Sequence, residues 1–225
     1  MPHVVYAHKV NRVTLSGTMF SAAEEWSTGF WMGEEGADAS VPTQAMANAI
    51  LPLWRTFFEA AQTKVHNQYL TTQVKVAHIN TNGTTDSANV VYAYPATELN
   101  GNDASSPYPP QCSMVVTLLS DRPRGLASKG RMYLPGYVGA ITGNGKVSSL
   151  QTGELATQFE TFFNGIRAHA DIPNTPILAA KGTGLFPELT AQNDYIEKIK
   201  IGDVIDTQRR RRNGLAETYV LKTLV

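Results

Sequence analysis

Two arginine-rich segments carry most of the chemistry visible in this chain. Arg122, Arg124, Lys129 and Arg131 crowd one short stretch, and Arg209, Arg210, Arg211 and Arg212 form an unbroken run. Together they hold eight of the nineteen Lys and Arg residues. A guanidinium presents a rigid fork of donors that matches carboxylate or phosphate in pairs. Three uses compete for such clusters. They can be solvated turns, as short charge runs usually are. They can pair with acidic neighbours such as Glu24-Glu25 or Glu34-Glu35 on another subunit, since arginine is enriched at interfaces. They can also neutralise a phosphate backbone, although a net charge of zero argues against that as the sole purpose. The interface reading is preferred.

Other residue types offer little for catalysis. The histidines are His3, His8, His66, His78 and His169, with no HxxxH or HExxH spacing between them. His66 and His169 fall where two helices are expected to end, and a cation there complements the negative end of the dipole. Cys112 is the only cysteine, so no internal disulfide and no cysteine-rich zinc site is expected. Nothing near it supplies the base that a nucleophilic thiol needs. The glycine-rich stretches 136–145 and 181–184 do not fit a phosphate-binding loop leading into a helix. An enzyme would require distant His, Asp and Ser residues to converge in a cleft. The expectation is therefore a non-enzymatic protein without cofactor or metal.

The elements that position these residues follow from periodicity. Strands are expected within 4–20, with Gly17 as a breaker, and over 27–33. Met46, Ile50, Leu53, Trp54, Phe57, Ala61 and Val65 describe one face of a helix over 43–66, capped by Ser40 or Thr43. Pro52 lacks an amide donor, so a kink or a break near Leu51 is expected. Strands follow at 71–79 and 89–94, with Asn82-Gly83 as a turn signal. The Trp26–Trp31 segment could form a carbohydrate platform or membrane wedge, but packing under this first helix is preferred. Further strands are expected at 113–119 and 130–134, then a helix over 153–170 whose apolar face is Leu155, Phe159, Phe162, Phe163, Ile166 and Ala170. Glu154 would lie in its first turn. Strands at 177–180 and 195–205 close the pattern.

The second series of elements echoes the first. Val13-Thr14-Leu15 matches Val116-Thr117-Leu118, and Thr56-Phe57-Phe58 matches Thr161-Phe162-Phe163, at a nearly constant offset. The Gly29 segment aligns near Gly130-Arg131-Met132-Tyr133, Val74-Lys75-Val76 with Ile177-Leu178-Ala179, and 90–94 with 196–200. The competing explanation is a binary pattern shared by two unrelated halves. The fold class is α+β: two similar β-β-α-β-β halves, each a sheet covered by one helix, with internal duplication and a shared binary pattern left as equal explanations of their likeness. Residues 1–96 form the first half, 97–111 a Pro/Ser/Asn-rich linker, and 112–225 the second half with its arginine-rich segment.

Composition sets the class. Hydrophobic residues make up 42% of the 225 residues, enough for a self-sufficient core. Charged residues at 17% fall below the usual figure of about 25%. No apolar run is long enough to span a membrane, and Met1-Pro2-His3 does not open a secretory signal.

The segment 111–118 (QCSMVVTL) followed by 130–136 (GRMYLPG) is similar in pattern to structural proteins of bacteriophages and related viruses. The segment 201–208 (IGDVIDTQ), running into Arg209–Arg212 and Asn213, resembles the same group. The resemblance implies a virion component, associated with capsid or tail, assembled in the host cytoplasm and working in many copies. Its expected partners are copies of itself or other virion proteins, with nucleic acid as an alternative and no membrane. Arg122, Arg124, Lys129, Arg131 and Arg209 to Arg212 would then form a subunit interface or a phosphate contact.

Overall fold

The computed structural model describes the backbone at residues 4–5, 8–19, 24–34, 36–61, 69–95, 112–120, 128–134, 149–177, 182–183, 198–205 and 219–223, and the side chains at 8–16, 27–34, 36–57, 72–95 and 157–177. The elements in chain order are β1 (Val4–Val5), β2 (Val10–Met19), β3 (Glu24–Gly33), α1 (Gln44–Ala61), β4 (Tyr69–Ile79) and β5 (Thr85–Ala93). They continue with β6 (Cys112–Ser120), β7 (Ser128–Leu134), α2 (Ser149–Ala168), β8 (Thr175–Ile177), β9 (Gly182–Thr183), β10 (Lys198–Ile205) and β11 (Tyr219–Thr223). The fold is α+β, and every strand pairing described is antiparallel.

A five-stranded sheet runs in the order β5-β4-β2-β3-β8, a four-stranded sheet in the order β11-β10-β6-β7, and β1 pairs with β9. Strands β2 to β5 therefore flank α1 in the same spatial order in which β6, β7, β10 and β11 flank α2. In the first sheet, period-two alternation sends Val13, Leu15, Phe30, Met32, Val74 and Val76 to one buried face. Thr43 Oγ1 accepts from the Met46 amide at 3.1 Å and caps α1. Met46, Ile50, Trp54 and Phe57 then bury the stripe expected of that helix. Helix α2 buries Phe159, Phe162, Phe163 and Ile166.

The two helices pack on one another, α1 also against β4 and β5, and α2 also against β10 and β11. Aromatic rings fill the seam. Phe57 meets Phe159 at 4.2 Å between centroids, and Trp54 meets Phe162 at 5.8 Å. Gly165 sits against Leu53 of α1. A Cβ there would lie 2.9 Å from a Leu53 methyl.

Several expectations need correction. Gly17 does not break its strand, because β2 is central and paired through Gly17 to Trp26 on one side and Thr72 on the other. Of the two outcomes expected at Pro52, the break does not occur, since α1 runs through it as one helix. Pro52 lies on the exposed side, as does Asn48, whose carbonyl loses its donor, so solvent can take up that oxygen. Phe30 packs against α2, 5.3 Å from Phe163 and edge-on to it, whereas its neighbour Trp31 lies on the opposite face of the sheet, away from the helices. Glu154 is not in the first turn of α2, which starts at Ser149.

The strand after α2 joins the other sheet. Ile177 pairs with Trp31 at the edge of β3, so the match of 177–179 to 74–76 does not hold. In strand order β10 holds the place in the second sheet that β4 holds in the first, and β11 that of β5. Residues 97–111, read as the linker, lie outside the described residues.

Candidate interaction surface

Each sheet has one face turned from the helices. In the first sheet the ladder places Thr14 between Gly29 and Lys75, and Lys75 beside Tyr92. Directly opposed residues on antiparallel strands share a face, so these form one row. The next row holds Arg12 between Trp31 and Ala77. Each cation has an aromatic partner. Lys75 Nζ lies 5.6 Å from the Tyr92 ring centroid and Arg12 Cζ lies 5.8 Å from that of Trp31. Tyr92 in turn stacks on Tyr94, with centroids 6.2 Å apart and planes inclined by 12°. These two tyrosines remain 43% and 58% exposed. At the other end of this face Val10, Ala77, Ile79 and Ile177 form a small buried apolar cluster, with Trp31 and Val90 against it.

The second sheet repeats this register. Thr117 lies between Arg131 and Lys200, and Lys200 pairs with Leu221. Val13-Thr14-Leu15 faces Val76-Lys75-Val74, and Val116-Thr117-Leu118 faces Ile201-Lys200-Ile199, with identical pairing. One row further on, Lys129 lies opposite Leu119, and Leu119 opposite Lys198. One face of this sheet thus receives Lys129, Arg131, Lys198 and Lys200. Met114, Val116, Leu118, Ile199 and Ile201 occupy the alternate register positions.

The residues expected to form a basic site are only partly placed. Lys129 and Arg131 share a face of β7, an edge strand that runs near β3 without hydrogen bonding to it. Arg122, Arg124 and Arg209 to Arg212 lie outside the described residues. His169 does follow α2, and its Nδ1 accepts from the Asp171 amide at 3.2 Å. His66 lies outside the described residues. Among the described residues no three His, Cys, Asp or Glu side chains cluster as metal ligands, and no helix is long and apolar enough to cross a membrane.

Compared with known proteins, the chain matches no protein family, no curated protein and no solved structure.

A buried polar network stands at the helix-facing end of the first sheet. Asn11 Nδ2 donates to the Ser40 carbonyl at 2.8 Å, which leaves Asn11 Oδ1 to accept from His78 Nδ1, also at 2.8 Å. His78 is 2% exposed. Burial lowers its pKa below the ordinary 6.5, and nearby Lys9 adds to this, while Asp86 and Asp38 act the other way. The Glu34 carboxylate accepts from both the amide and the hydroxyl of Ser40. Ser40 and His78 are each committed to other partners, so this is a brace for the loop before α1. Sequence reading overlooked it because Asn11 and His78 interrupt otherwise apolar strand faces and look like failed alternation. The rows of cations and rings were overlooked because cross-strand register decides them.

Proposed function

We propose that the chain is a non-enzymatic structural subunit of a virion, capsid- or tail-associated, that assembles with copies of itself. The observation that carries this reading is the shared register of the two sheets, with Thr14 against Lys75 in one and Thr117 against Lys200 in the other. The reading takes this likeness as internal duplication. A duplicated subunit offers two quasi-equivalent faces to its neighbours, so a closed trimer would present pseudo-sixfold symmetry suited to a ring or tube. The sheet order also supports assembly. β5 and β11 end their sheets, and an edge strand offers unpaired amides and carbonyls to another chain. Arg122, Arg124, Lys129, Arg131 and Arg209 to Arg212 would set the register of association through ion pairs with neighbouring acidic residues.

Mass photometry and negative-stain imaging of the purified protein test the proposal. The expected result is a closed ring, tube or lattice of defined copy number. A strictly monomeric species at high concentration would overturn it.

A further inference from the structure

We propose that the helix-free face of the first sheet binds single-stranded nucleic acid, with Tyr92 and Tyr94 as stacking platforms and Lys75 and Arg12 as phosphate contacts. This goes beyond the assembly reading and does not depend on it. A single strand presents two chemistries at a regular spacing: flat π faces and a line of negative charge. Proteins that hold it combine a cationic track with aromatic side chains on which bases stack. Both components alternate here within one ladder. Lys75 stands 5.6 Å from the Tyr92 ring, and Tyr92 is stacked on the 58% exposed Tyr94. One nucleotide can therefore place its base on a ring and its phosphate beside an ammonium.

The two cations of this face stand beside its rings, where the phosphates of a polyanion would meet them. By register the face carries Arg12 and Lys75, with the Glu25 position opposite Thr18 at the far end of β2 and Asp86 in the irregular stretch of β5. The corresponding rows of the second sheet hold Lys129, Arg131, Lys198 and Lys200. A sheet face with interleaved rings suits unstacked bases, whereas a duplex hides its base faces and is held by shape and backbone. The same cations would attract an acidic protein, but such a partner gives the tyrosine rings no role.

The test is fluorescence anisotropy of the full chain with a labelled oligothymidylate, its oligouridylate counterpart and a duplex of equal length. The expected result is preferential binding of both single strands, weakening steeply between about 50 and about 200 mM salt. Tyr94→Ala, at an exposed position, should reduce affinity roughly 5- to 100-fold with an unchanged circular dichroism spectrum. Lys75→Gln should weaken binding and lower the salt slope by about one. Three outcomes would overturn the proposal: no single-strand binding at the lower salt, equal affinity for duplex, or affinity unaffected by both variants. In the last case, loss of binding on replacing Arg209 to Arg212 by Gln would assign it to the arginine run instead. Oligomeric state, read on the same samples, reports separately on assembly.

Discussion

The backbone amide of Ser40 donates to Asn174 Oδ1 at 3.1 Å, joining the loop that opens α1 to the loop that follows α2. The two residues are separated by 134 positions in the chain, and Asn174 is almost wholly buried. The same amide also reaches the Glu34 carboxylate at 2.9 Å. Asn174→Ala therefore removes one of two acceptors and should cost about 1 kcal/mol. Asn174→Asp keeps the acceptor but sets a second carboxylate on a donor that Glu34 already occupies. It should destabilise more than alanine at neutral pH, and the gap should narrow in acid. Urea denaturation of the three proteins checks this order, and alanine proving worse than aspartate at neutral pH would refute it.

His78 makes stability depend on pH. Its folded pKa lies below 6.5 because burial and Lys9 disfavour the imidazolium, so the unfolded chain binds its proton first as pH falls. The contribution is intact above the unfolded pKa and is lost on acidification through the interval between the two values. His78→Asn offers Asn11 a neutral amide donor and no titration. Thermal midpoints followed from pH about 7 to about 5 should fall less steeply in this variant than in the native protein. Parallel curves would exclude His78 as the cause.

Pro52 leaves an α-helical position without a donor on the exposed side of α1. Pro52→Ala restores the bond to the Asn48 carbonyl and removes the ring from the preceding turn. It should stabilise the fold by about 1–3 kcal/mol, less than or equal to the full difference in helix propensity. A raised denaturation midpoint is the expected reading. A lowered midpoint would mean that the ring makes packing contacts that outweigh the lost hydrogen bond.

The elements were legible in the chain wherever a local rule governs them. The stripe Met46, Ile50, Trp54, Phe57 is visible because helical side chains three and four apart share a face, whatever they meet. Thr43 caps α1 as its type and place imply, and Asn82-Gly83 turns the chain with Gly83 at a φ of 80°. The α+β class follows from the order of such segments. The shared Val-Thr-Leu triplet was visible too, as was the basic character of 122–131.

Partner choice belonged to the tertiary structure. Ile177 had the composition of a strand, but only long-range hydrogen bonding could send β8 to β3, at the edge of the first sheet. Phe30 was recognisable as core, but its meeting with Phe162 and Phe163 of α2 depends on tertiary packing. The meeting of Lys75 with Tyr92, and of Arg12 with Trp31, depended on register between strands distant in the chain. Periodicity specifies which side of an element is apolar from neighbours a few residues away. What that side touches, and which polar residues line up opposite it, is settled by the closure of loops that no local pattern encodes.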